Sequence, residues 1–276
     1  MRPTPNWELK GCCNQDQKIF IITVLVCTVV ILAVTNSFPL LTAYFKRSPF
    51  GFKQASLTFF VDPAGRKCTF FNWLWRTFLM TPFKLITVFL HELSHAIACK
   101  LTCGTVEGIK VNADEGGSTI TRGGIYCCIL PAGYLGSSFW GMILILASTN
   151  HITALIATGC FVASLLIVLF IAKNWTLRGL CIGFIIFLAV MWLIQAQTGV
   201  RLVRYTILFI GVMNSLFSIY DIFDDLISRR VKTSDAEKFA EVCPCCNGVG
   251  WGIIWAIISL AFLGGAMYLG LLLMTY

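Results

Sequence analysis

Apolar residues in this chain gather into long runs separated by short polar or glycine-containing connections. Seven such runs lie at about 19–45, 77–102, 124–148, 152–172, 179–197, 203–223 and 250–274. Each is close to or above the roughly 20 residues an α-helix needs to cross the hydrocarbon core of a bilayer. The pattern predicts an all-α polytopic membrane protein of about seven transmembrane helices. One connection differs. Within 104–122, Thr105-Val106-Glu107-Gly108-Ile109-Lys110-Val111 and Ser118-Thr119-Ile120-Thr121 alternate around Asp114-Glu115-Gly116-Gly117, which predicts a short β-hairpin turning at the two glycines, directly after the second run. Such a hairpin can serve as a connecting turn or offer an edge to an unwound peptide.

The other long connections are polar. Residues 46–76 carry Pro, Gly and Lys with aromatic residues (Phe59, Phe60, Phe70, Phe71, Trp73, Trp75) suited to the headgroup level. Residues 224–249 form a polar loop with Arg229, Arg230 and Lys232 as cytoplasmic anchors. The chain thus divides into a polar tail over 1–18, a first span and aromatic interfacial loop over 19–76, and a helical core over 77–276. The first apolar run exceeds the h-region of a signal peptide and is expected to remain as an anchor.

Composition agrees with a membrane protein. Hydrophobic residues make up 57% of the 276 positions and charged residues 12%, with mean hydropathy +0.80. A soluble domain carries about 25% charged residues. The net charge of +8 is spread over the connections, which fits membrane lipids as partners and includes no basic block of the kind nucleic-acid binders show. Twelve Lys and Arg fall on the N-terminal side of the spans, eight opposite, and Lys84 inside one, so the N-terminus is expected in the cytoplasm and the C-terminus across the membrane. Of the thirteen cysteines, Cys27, Cys99, Cys127, Cys128, Cys160 and Cys181 lie within spans, where Cys acts as a small hydrophobe. Cys12-Cys13 and Cys243-Pro244-Cys245-Cys246 are juxtamembrane and suit palmitoylation, though free thiols fit as well, and the second cluster could also hold a metal. The sequon Asn174-Trp175-Thr176 abuts a span on the cytoplasmic side and is expected to be unused.

The second run contains His91-Glu92-Leu93-Ser94-His95, and the chain has only three histidines. On a helix, residues four apart share a face, so both imidazoles can reach one Zn²⁺. Glu92 sits about 100° round the helix, where it can take a proton from a metal-bound water. Three ionisable side chains within five residues of an apolar span each carry a desolvation cost that metal coordination offsets. A hydrolytic zinc needs a third protein ligand. Of thirteen acidic residues, those within or at the end of a span are Glu92, Asp221, Asp224 and Asp225. Asp221 lies deepest and is the expected ligand, with Asp224 or Asp225 as alternatives. Gly123-Gly124 open the third span, and Pro131-Ala132-Gly133-Tyr134-Leu135-Gly136-Ser137-Ser138 within it let a neighbouring helix approach closely. Asn214 is expected to serve packing.

With this motif in one span and an acidic residue in a much later one, the chain resembles the site-2 protease family of intramembrane zinc metallopeptidases. Within that family it is most similar to a divergent peptidase-like branch found in plants, fungi and bacteria. The likeness runs from about residue 77 to the C-terminus and includes Arg122-Gly123-Gly124, Ala132-Gly133-Tyr134-Leu135-Gly136 and Tyr220-Asp221-Ile222-Phe223-Asp224-Asp225. Better-known members carry Asn-x-x-Pro before an Asp-Gly ligand, where this chain has Asn214 followed by Phe217, and Asp221 followed by Ile222. The resemblance implies bound zinc, a core of spans around it, and cleavage of transmembrane protein substrates. The alternative is a non-proteolytic zinc-binding membrane scaffold or chaperone. A metal-ion transporter would show repeated halves with paired broken helices, which the sequence lacks.

Overall fold

The computed structural model describes residues 14–46, 68–112, 116–223, 225 and 234–274. Cys12-Cys13, the 47–67 stretch of the aromatic loop, Asp114-Glu115, Asp224, Arg229-Arg230 and Lys232 lie outside the described residues. The elements are α1 (Gln15–Lys46), α2 (Cys68–Leu101), β1 (Thr105–Val111), β2 (Gly117–Arg122), α3 (Tyr126–Ala147), α4 (His151–Ile171), α5 (Trp175–Thr198), α6 (Leu202–Phe223), α7 (Asp235–Val242) and α8 (Gly248–Leu273). By length and composition α3, α4, α5, α6 and α8 can cross a membrane. The α2 helix, expected as the second span, is long but is not among these five. In α2 the apolar run is interrupted by Lys84, His91, Glu92, His95 and Lys100. It also begins earlier than the pattern predicts and takes Phe70, Phe71, Trp73 and Trp75 into the helix, since no Gly or Pro stands between Gly65 and Pro82.

The bundle is organised around α3, which packs most extensively against α6 and also against α2 and α8. Small residues make that possible. A Cβ on Gly211 would come within 2.9 Å of Ile145 N and 3.0 Å of Gly141 O, and one on Gly141 would run into Ser215. The two backbones therefore touch, as small residues allow in membrane helix pairs. A buried polar seam runs beside this contact. Ser137 Oγ donates to Asn214 Oδ1 at 2.9 Å and the Asn214 amide donates back to the Ser137 carbonyl, which accords with a packing role for Asn214. Ser138 Oγ lies 2.7 Å from both Ser218 Oγ and Ser259 Oγ, linking α3, α6 and α8. Each such bond contributes about 0.6–2 kcal/mol in a membrane interior. On the other flank α2, α4, α5 and α6 share an apolar core in which Phe83 meets Phe184, Phe187 and Phe209 edge-on at 5.0–5.8 Å. Outward-facing Phe170, Ile186 and Ile257 are exposed, as lipid-facing side chains would be.

The α1 helix runs beside α6, with Phe20, Val24 and Ile31 packed in the cluster that holds Leu208, Val212 and Met213. Its first turn meets the last turn of α8. Gln17 Nε2 donates to Leu271 O at 2.9 Å and Asn14 Nδ2 to Met274 O at 3.3 Å. Residues 14 and 274 thus share one end of the bundle, which corrects the expectation of termini on opposite sides. The hairpin and α7 sit at the other end.

The expected hairpin is present, antiparallel from Thr105↔Arg122 to Val111↔Gly117, with a bulge between Val106 and Gly108. Its turn differs from the expectation. Gly117 pairs with Val111 and Asn112 N donates to Gly116 O at 2.7 Å, so Gly117 belongs to β2 and Gly116 is bonded across the hairpin beside it. Gly123 and Gly124 adopt φ of 71° and 83° and form the turn into α3, where they were expected to begin the helix. The sheet is tied to the α4–α5 connection by Lys173 N donating to Ile109 O at 3.0 Å and by the Asn174 amide on Val111 O, so the sequon side chain is already engaged.

The α3–α6 contact yields a test. Gly211→Ala should destabilise the protein by about 1–3 kcal/mol, because backbone on both sides leaves the new methyl no room. Gly183→Ala, with nothing within 4 Å, should leave thermal unfolding in detergent unchanged or slightly improved. Equal midpoints for the two variants would show that the helices are not in backbone contact.

Candidate metal centre

The last turns of α2 carry the histidines. One helical turn apart, His91 and His95 bring their Nε2 atoms within 3.1 Å of each other. His95 Nδ1 lies 2.7 Å from the Ile129 carbonyl at the start of α3. A carbonyl only accepts, so Nδ1 carries the hydrogen and Nε2 is left with its lone pair directed to the site. The His91 ring stands edge-on to Tyr134, centroids 4.8 Å apart. Gly133 passes directly over the pair, and a Cβ there would collide with both Nε2 atoms. Close packing of α3 on α2 thus requires glycine at this position.

Glu92 is held from the hairpin. The Thr119 hydroxyl lies 2.6 Å from Glu92 Oε2, to which it donates, and 2.9 Å from the Glu92 carbonyl. Gly117 adjoins the same carboxylate so closely that a Cβ would overlap it. The residues that open β2 are therefore shaped around the acid. Gly136, one turn beyond Gly133, leaves room for Ser94 in the same way.

A carboxylate from an unforeseen element completes the group. Asp235 Oδ2 lies 2.9 Å from His95 Nε2 and 3.1 Å from His91 Nε2. Asp221, the expected ligand, and Asp225 line the same cavity of about 390 Å³, and Asp225 accepts a 2.6 Å hydrogen bond from Tyr134. Asp235 opens α7, a helix inside the 224–249 stretch read from the sequence as loop. Ser234 caps it by accepting from Glu237 N, while Ala236 and Phe239 are buried, the latter edge-on to Trp251 and Trp255. A signal for it exists in the sequence. Ser234-Asp235-Ala236-Glu237 has the spacing of a capping box. Burial alone would raise the Asp235 pKa, but when the imidazoles are protonated their charge and hydrogen bonds outweigh it and hold the group well below the usual carboxylate range.

These three side chains are the described group whose ligand atoms lie close enough together to hold one ion. At zinc–nitrogen and zinc–oxygen distances of about 2.0–2.1 Å, tetrahedral donors stand roughly 3.3–3.4 Å apart. The observed 2.9–3.1 Å triangle needs only a few tenths of an ångström of opening. Two imidazoles and one carboxylate are also the donor set of many hydrolytic zinc sites. The residues present therefore fit the metal. The donors and Glu92 line the cavity together with Gly116, Gly117 and Ser118 of the hairpin, so a peptide entering it would meet both.

A family model described as Peptidase M50B-like matches residues 67–266, a span that takes in every element from α2 to α7 and most of α8. No curated protein and no solved structure matches the chain.

Gly133→Ala offers a direct test of the packing over the histidines. Zinc affinity of the purified protein should fall about 10–100-fold, the range seen when a metal ligand loses its support. Unaltered zinc stoichiometry and affinity in this variant would mean the imidazoles do not bind metal where they stand.

Proposed function

The chain belongs to the Peptidase M50B-like family, and from that premise we propose that it is a zinc metallopeptidase hydrolysing peptide bonds of transmembrane proteins. The observation that carries the reading is the convergence of His91 Nε2, His95 Nε2 and Asp235 Oδ2 in one cavity wall with Glu92. His91, His95 and Asp235 would hold the ion. When bound, zinc acidifies a water and polarises the scissile carbonyl. Glu92, oriented by Thr119, takes the proton from the attacking water and delivers it to the leaving amine. A peptide bond in an intact helix is shielded because its backbone is paired, so the substrate must unwind locally. The Gly116-Gly117-Ser118 edge of β2, in the same cavity wall, provides backbone groups against which an unwound segment can lie.

Asp221 supports a second version of the same site, because it lies in that cavity wall and occupies the position the sequence reading favours. Metal content separates the two. Asp235→Ala should lose zinc while Asp221→Ala keeps it, and the reverse pattern would make Asp221 the ligand. Glu92→Gln should retain about one zinc per chain yet reduce cleavage of a transmembrane substrate by about 10²–10⁴-fold. A cellular phenotype insensitive to Glu92→Gln would replace the peptidase with a zinc-binding scaffold.

A further inference from the structure

The thiols outside the metal centre fall into an arrangement that the proposed chemistry does not use. Cys127, the second residue of α3, and Cys243, the C-cap of α7, come from positions 116 residues apart, yet their Sγ atoms stand 4.0 Å from each other. We propose that Cys127 and Cys243 form a reversible disulfide that locks α7 to the start of α3. Closing the pair moves the sulfurs together by about 2 Å, to a bond of about 2.05 Å. Cys127 is exposed and Cys243 partly so, which leaves them open to a small oxidant.

A structural metal is the competing use of this cluster. The neighbouring thiols do not support it. Cys245 Sγ is directed at the Cys243 carbonyl of its own turn, 3.8 Å away, and no third thiol joins the pair among the groups of described residues able to hold an ion. Two thiols alone make a disulfide.

The position of the bond gives it a consequence. Ser234, Asp235 and Lys238 of α7 form one wall of the cavity, and Tyr126 and Ile129 of the first turn of α3 belong to another. Without the bond, α7 is held by Phe239 against the tryptophans and by Asp235 on the imidazoles. The disulfide adds a covalent tie at the opposite end of this eight-residue helix and joins the two walls. The chemistry is thiol–disulfide exchange with a small disulfide such as oxidised glutathione. One cysteine thiolate attacks it to give a mixed disulfide and release one small thiol. The second cysteine then displaces the other small thiol, so one small disulfide is consumed and two thiols leave with the two protons. In a reducing compartment such a bond is transient and reports redox state.

The test uses the full chain, purified in detergent and treated with oxidised glutathione or dithiothreitol, followed by non-reducing peptide mapping. The expected result is a cross-linked peptide pair containing residues 127 and 243, lighter than the two free peptides by two hydrogens and reversed by dithiothreitol. It should disappear in Cys127→Ser and in Cys243→Ser and persist in Cys128→Ser and Cys245→Ser. Absence of the link under oxidant, its persistence in Cys127→Ser or Cys243→Ser, its loss in Cys128→Ser or Cys245→Ser, a hydroxylamine-labile acyl group on Cys243, or thiols protected by a bound metal would each overturn the proposal. The further claim that the bond stiffens the cavity rests on the metallopeptidase reading and has its own readout. Zinc release to a chelator should be severalfold slower from the oxidised protein, and equal rates would overturn that coupling. A wild-type protein without zinc would instead count against the metallopeptidase reading, because the peptide map reports the bond with or without metal.

Discussion

Polar groups inside an apolar bundle must find partners within the protein, and that requirement shapes this molecule around His91, Glu92 and His95. Each of the three is met from a different direction. The Ile129 carbonyl takes one nitrogen of His95, Thr119 takes the Glu92 carboxylate, and Asp235 stands against both imidazoles. The elements that supply these partners, the start of α3, strand β2 and helix α7, are the ones that close the cavity. Satisfying the buried groups and enclosing the cavity are thus achieved by the same contacts.

Glycine makes the arrangement compact. Along α3, Gly133 and Gly136 admit the histidines and Ser94 of α2, while Gly141 admits α6 on another face. One helix thereby brings two neighbours into backbone-level contact, and the Ser137–Asn214 pair locks its register on α6. A precise site in a membrane rests on such small-residue faces, because lipid provides no hydrophobic force to press helices together.

Much of this was legible in the sequence, where a local pattern carried it. The histidine pair on one helical face, the β-hairpin after it and the small residues of the third span all follow from spacing alone. What escaped was set by tertiary contact. Asp235 stands in a polar loop and becomes a partner of the histidines only because Phe239 seats α7 between tryptophans of α8. The capping box Ser234-Asp235-Ala236-Glu237 marks where a helix can start, but nothing in it ties Asp235 to the histidines. The Gly116-Gly117 pair reads as a turn, yet Gly117 is fixed by the Glu92 carboxylate it must accommodate. The relative placement of the chain ends is likewise beyond counting of charges, since it depends on α1 lying beside α6 and meeting α8.

That last contact separates the protein into two working ends. Chemistry-bearing groups collect where α8 begins, whereas residues 14 and 274 meet where it finishes, 26 helical residues or roughly 39 Å away. A purification tag, a fluorescent protein or a natural binding partner attached beside either of these positions would stand a full bilayer from the cavity. Handles for isolating or imaging this protein can be placed there without obstructing its mouth.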